Sequence, residues 1–163
     1  MEELLKELEE IKKKIMEIEK KVEKKQEKEK NERWKPQKGD IYWFISDVGC
    51  ICNSKWDNDY IDRERYLTSN YYRTKEECEF TKEKLKVIAE LKEFEEPKYR
   101  EWNEVNIHYH IYYNYPIEKV DIGWAKVAKQ NEIYFESADK AKQVIDAVGN
   151  DRIKKYYLEV EEE

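Results

Sequence analysis

An α+β fold is predicted by the 163-residue sequence: an antiparallel sheet with helices packed on one face, preceded by an N-terminal coiled-coil helix. Three observations carry this reading. Residues 4–22 show a heptad stripe. Short aromatic-rich runs bounded by turn residues read as strands. Two hydroxyl-capped helical segments each follow a pair of aromatic residues.

The stripe is Leu4, Leu8, Ile11, Ile15, Ile18 and Val22, in alternating steps of four and three, the rhythm of a coiled-coil seam. Leu8, Ile15 and Val22 occupy the a positions; Leu4, Ile11 and Ile18 occupy d. Glu and Lys fill nearly every other place and form i,i+4 pairs such as Glu10–Lys14 and Glu17–Lys21. A single helix cannot bury so narrow a stripe against itself. Self-association into a dimer or trimer is therefore expected, with isoleucine at both a and d leaning toward three or more strands over two; docking on the body or on a partner is the other solution. The seam fails at Lys25, and Lys24 through Arg33 is a charged connector. Trp34 and Pro36 open the body, because the residue before a proline resists helix. This divides the chain into residues 1–33, an oligomerisation helix with its connector, and residues 34–163, an α+β binding domain with possible halves 34–97 and 98–163.

In the body, Ile41–Ser46 reads as a strand, Asp47-Val48-Gly49 as a turn, and Cys50–Asn53 as the returning strand. A polar stretch, Trp56–Arg65, follows. Thr74 then caps a helix in Thr-x-x-Glu spacing with Glu77, running to about Phe94. The apolar residues of this helix cover more than one stripe, so it is expected to be buried on two sides. Ile107–Tyr113, Ile122–Ala128 and Glu132–Phe135 read as further strands. Ser137 caps a helix carrying Ala141, Val144, Ile145 and Val148, which Gly149 stops. A last short helix spans Asp151–Tyr157. Tyr71-Tyr72-Arg73-Thr74 and Tyr134-Phe135-Glu136-Ser137 match at an offset of 63. That match fits a duplicated strand–strand–helix unit, or the ordinary way in which strands hand over to capped helices.

Composition bounds the partners. Residues 1–33 hold 11 acidic and 11 basic side chains, leaving the body 27 of the 38 acidic and 21 of the 32 basic residues, hence the whole net charge of −6. A duplex-DNA binder needs a positive field that this body lacks. Mean hydropathy is −1.11, yet 13 Tyr, 5 Trp and 4 Phe supply enough burial for a core. Neither a secretory segment, a lipidation signal nor a membrane-length apolar run is present. Three cysteines suggest reduced thiols and a cytoplasmic setting.

Catalytic and cofactor motifs are missing from the sequence. Four unclustered glycines cannot build a phosphate cradle, and no nucleophile elbow or zinc-protease helix is present. The two histidines, His108 and His110, could converge with Cys50 and Cys52 on zinc if their strands were neighbours; ordinary strand packing is the preferred reading, and no metal or cofactor is assigned. Asp57, Asp59 and Asp62 lack the glycine of a calcium loop. Trp56, Asn58, Asp62, Arg65, Tyr66 and Asn70 mix aromatic faces with polar groups, as binding hot spots do; the plainer reading is a structured loop plugging the sheet end. Tyr109 and Tyr113 share one strand face, while His108, His110 and Tyr112 share the other. One of these two aromatic faces is left for a partner, with single-stranded nucleic acid a lesser candidate.

The run Trp34-x-Pro36-x-x-Gly39-Asp40-x-Tyr42, with Trp56-x-Asn58, Asp62-x-x-Arg65-Tyr66, Asn70-x-Tyr72-x-Thr74-x-Glu76-Glu77 and Gly149-x-Asp151-Arg152-Ile153, resembles small phage and prophage accessory proteins of Firmicutes. The resemblance spans most of the body and implies a phage gene working in the bacterial host cytoplasm; it carries no catalytic residues. The expected function is thus a non-enzymatic, oligomeric binding protein that grips a host protein, in the manner of an inhibitor of host defence. The alternatives are a sponge for a small nucleotide signal, a virion or assembly component, and a single-stranded nucleic-acid binder.

The seam generates the first testable outcome. Light scattering at micromolar concentration should give two or three times the chain mass of 20.1 kDa, and the double substitution Ile11→Asp, Ile18→Asp should reduce it to one.

Overall fold

The computed structural model describes residues 11–20, 33–97, 101–102, 105–127, 129 and 132–160. Residues 11–20 form a helix, α1, exposed along its whole described length. Leu4, Leu8 and Val22 of the expected seam lie outside the described residues, whereas Ile11, Ile15 and Ile18 are 56%, 49% and 60% exposed. Among the described residues no helix is long and apolar enough to cross a membrane.

The body is α+β, with strands Ile41–Ile45 (β1) and Ile51–Lys55 (β2) forming one antiparallel sheet, and His108–Asn114 (β3) and Lys119–Ala125 (β4) a second. Between β2 and the next helix, Tyr60–Leu67 folds as α2, where sequence reading expects only a polar stretch. Its cause is local: the Asp59 side chain accepts the amide of Asp62, the same bond that caps α3 and α4. Helix α3 spans Lys75–Lys92 and α4 spans Ala138–Val148, capped as expected by Thr74 and Ser137 through the amides of Glu77 and Lys140. Gly149, at φ +96°, ends α4 in a backbone conformation that L side chains rarely adopt. The chain closes with α5, Asn150–Arg152, continuing into a π-helical turn over Ile153–Tyr157.

Two positions shift from expectation. β4 begins three residues earlier, because a 3₁₀ turn at Tyr115–Ile117 and the left-handed Glu118 (φ 51°) reverse the chain tightly. The strand expected over residues 132–135 is reduced to one bridge, in which Tyr109 and Phe135 exchange both backbone bonds at 3.0 and 2.7 Å. The first unit has the same device: Trp43 and Tyr72 exchange bonds at 2.9 and 2.8 Å. Each unit is therefore a hairpin, a bridging aromatic pair and a capped helix, in the same order.

Adjacent residues of each pair point to opposite faces. In the first unit Tyr71 joins Tyr42 and Trp56 in a small aromatic core, while Tyr72 meets Thr81 and Cys78 of α3 on the other side. In the second, Phe135 enters the main core with Ile111, Ile133, Val144, Ile145 and Ile153, while Tyr134 lies with the histidines. Helices thus flank both faces of the first sheet. Helix α3 serves both units, as its two apolar stripes suggest: Cys78 is buried beside the first hairpin, and Val87 and Leu91 are buried in the second unit's core. The boundary between the halves 34–97 and 98–163 cuts across that shared core. Arg152 ties the end of the chain to α3 through a two-pronged bond to Glu90 at 2.7 and 2.8 Å, which pulls the Glu90 carboxyl below its usual range.

Leu91 is fully buried, so Leu91→Ala should cost about 2–5 kcal/mol. Urea unfolding would read this as a lower midpoint with one transition, because the helix that loses contact holds both units.

Candidate functional site

The polar–aromatic cluster singled out in the sequence comes together, and its groups satisfy one another. Tyr42, fully buried on β1, donates its hydroxyl hydrogen to Asp62 Oδ1 (2.7 Å) and accepts from Arg65 Nη1 (2.7 Å). Asp62 is 3% exposed, and its second oxygen accepts the amide of Asp57 at 2.7 Å. Burial alone would raise the Asp62 pKa, but the Tyr42 hydroxyl and the amides of residues 57, 58 and 59 outweigh it and hold the carboxyl below its ordinary value. Arg65 lays its guanidinium 3.4 Å from the Phe44 ring centroid. Asp62 and Arg65 are linked through the Tyr42 hydroxyl.

The remaining members have equally structural roles. Trp56 meets Tyr42 and Tyr66 edge-on at 5.7 and 6.1 Å. Asn70 donates to Ile45 O and accepts from Ile45 N, extending β1 as a strand residue would. Asn58 is exposed in a left-handed turn at φ 62°. Arg33 bonds to Tyr71 Oη and to Tyr66 O and covers both rings, so the connector's last residue is clamped to this same cluster.

The second hairpin differs. Tyr109 packs against the main core, and Tyr113 meets Tyr115 edge-on at 5.0 Å with Lys154 5.5 Å from its ring. Of the two aromatic faces, the one directed away from the helices is therefore His108, His110 and Tyr112, not Tyr109 and Tyr113. His108 is fully buried and its Nδ1 contacts the Glu96 carboxylate. The Trp102 indole stacks on it with centroids 3.6 Å apart, and Tyr134 meets both rings edge-on. His110 lies 6.0 Å from Tyr112 and 5.9 Å from Tyr134. Gly123, opposite His110, is required: a Cβ there would fall 2.8 Å from the imidazole.

Among the described residues, His108 Nε2 and His110 Nδ1 are buried without a hydrogen-bond partner. Asp121 borders the face. Asn114 and the Ile122 amide hold its carboxyl below the usual range, with Tyr112 assisting. Tyr134, whose hydroxyl donates to Glu132 (2.7 Å), is pushed up to about 12, first by burial and then by that carboxylate. Sequence reading missed Glu96, Trp102, Gly123 and Tyr134 here. The adjacent spacing of His108 and His110 was the one signal in the sequence.

Cys52 belongs to β2, with Cys50 just before it, and the histidines to β3, in different sheets, and among the described residues no three His, Cys, Asp or Glu side chains group as metal ligands. A separate cleft of about 620 Å³ beside the Phe80–Tyr156 contact is lined by mixed Glu and Lys. No family model, curated protein or solved structure matches the chain.

The buried carboxylate yields a prediction with a defined sign. Asp62→Asn places an amide N–H against the Tyr42 or Asp57 donor and should cost about 1–3 kcal/mol near neutral pH. The wild-type contribution is complete above the unfolded value of 3.8 and is lost as pH falls below that through the lower folded value. Denaturant midpoints of the two proteins should therefore converge in acid.

Proposed function

We propose that this protein is a non-enzymatic, multivalent binding module: copies gather through the seam of residues 4–22 and each presents the second hairpin's histidine face to a host protein. The observation carrying the reading is the exposure of Ile11, Ile15 and Ile18 on a helix whose described residues are exposed throughout. Three branched apolar side chains facing water at heptad spacing are a stripe in want of its equal. Gathering copies multiplies a weak site into strong attachment without adding a contact.

Two further features support binding over catalysis. The most reactive-looking cluster in the sequence, around Asp62 and Arg65, is spent on joining β1 to α2. The histidine face, in contrast, sets His110 beside Tyr112, and among the described residues two of its buried ring nitrogens have no hydrogen-bond partner. The resemblance to phage accessory proteins supports a host protein as target, and inhibition of a host defence as the purpose.

Capture from bacterial lysate on immobilised protein tests this. The wild-type chain should retain a defined host protein through extended washing, and the Ile11→Asp, Ile18→Asp chain should lose it at least about tenfold faster. Equal retention by both chains would reject multivalency; no specific retention by either would reject the binding role.

A further inference from the structure

Strand β2 leaves one side of the first sheet open. Trp43 turns its backbone toward Tyr72, exchanging both bonds with it, and the Asn70 side chain holds the backbone of Ile45. Tyr42 and Phe44 therefore bond toward β2, where Ser54 and Cys52 stand opposite them. The amides and carbonyls of Ile51, Asn53 and Lys55 consequently point off the far side of β2. Among the described residues none of these groups has a hydrogen-bond partner.

The same three residues direct their side chains to the α3 face, because Asn53 pairs with Trp43, Trp43 with Tyr72, and Tyr72 meets α3. Ile51 thereby becomes one wall of the 620 Å³ cleft. The floor is a single stripe of α3, Glu76, Glu79, Phe80 and Glu83, spaced i, i+3, i+4 and i+7. Lys155 and Tyr156 of the π-helical turn form the far wall, with the Tyr156 ring 5.2 Å from that of Phe80. A row of unused backbone groups thus runs beside an apolar-centred trough. Asn53, Glu76 and Glu79 are exposed, so both are open to solvent.

We propose that this rim and trough receive one extended segment of a partner protein, added antiparallel to β2, with an apolar and a basic side chain two residues apart. Backbone bonds to Ile51, Asn53 and Lys55 supply attachment, and alternate side chains supply selectivity. Residues two apart on a strand share a face, so the apolar group lies on Ile51, Phe80 and Tyr156 while the basic one meets Glu76 and Glu79. Charge in the trough selects that sign. Its three carboxylates outnumber Lys82 and Lys155, and Lys155 lies over its neighbour Tyr156 at 5.3 Å. Glu83 is engaged by Lys86 at 2.5 Å. Glu79 has only the exposed Lys75 at 3.1 Å, and Glu76 has no ion pair among the described residues. The far wall favours a lone segment over a second copy. A copy paired antiparallel on this rim carries its own α3 on the same side of the joined sheet, where Lys155 and Tyr156 already stand.

This surface is separate from the histidine face, and its test does not depend on that face binding. The probe is a fluorescently labelled Thr-Lys-Thr-Phe-Thr peptide, blocked at both ends and titrated with the full chain while anisotropy is read. Glutamate in place of its lysine should weaken binding about fivefold, and alanine in place of its phenylalanine about tenfold. Methylating the lysine and phenylalanine amide nitrogens, which face β2, should abolish binding; methylating the central threonine amide should leave it within about twofold. Asn53→Pro removes a donor the fold itself does not use and should weaken binding about tenfold. If proline disturbs the strand, the double substitution Glu76→Lys, Glu79→Lys serves instead and should reverse the preference toward the glutamate peptide. Equal affinity for all peptides, no saturable binding, or any other methylation pattern overturns the proposal. So does an Ile11→Asp, Ile18→Asp chain that still pairs in light scattering and separates when Asn53→Pro is added, since a second copy then occupies the rim.

Discussion

A two-stranded hairpin does not hold itself together in water, and both sheets of this chain are two-stranded. What makes one body of them is helix α3, whose early turns bury Cys78 against the first hairpin and whose later turns bury Val87 and Leu91 in the second unit's core. Burial pushes the Cys78 thiol up to about 11, which keeps it an unreactive packing group. The first sheet packs on α3 directly, and the second packs on the core that α3 shares with α4.

Each unit uses adjacent aromatics as a hinge between layers. Tyr71 and Tyr134 turn outward, Tyr72 and Phe135 inward, and a single pair of backbone bonds fixes each in place. From there the two halves diverge. The first covers its outer face with α2 and joins it through a hydroxyl, a carboxylate and a guanidinium. The second has imidazoles where the first has Tyr42 and Phe44, and joins His108 to the Glu96 carboxylate beneath the Trp102 ring.

Much of this was legible in the sequence where the cause is local. Thr74, Ser137 and Gly149 mark helix ends through bonds and backbone angles set within four residues, and all three hold. Helix α2 escaped notice because eight mostly polar residues carry little periodicity; its Asp59–Asp62 cap was the available clue. The histidine site was only half visible. His108-x-His110 announces a shared strand face, but Glu96 and Trp102 reach it through folding, and Gly123 matters only once β4 is paired in register. The Tyr42 relay was hidden for the same reason: a tyrosine in an apolar strand says nothing about the carboxylate and guanidinium that will meet it.

The bond from the Ile122 amide to Asp121 Oδ1 has a consequence for how copies can meet. Tyr109 directs its backbone groups to Phe135, so those of His110 and Tyr112 face β4, and the Ile122 amide therefore points off the open rim of the sheet. A foreign strand seeking to zip onto that rim finds the central donor already taken by a charged neighbour. Crowding many bodies together thus does not invite them to fuse into a continuous ribbon.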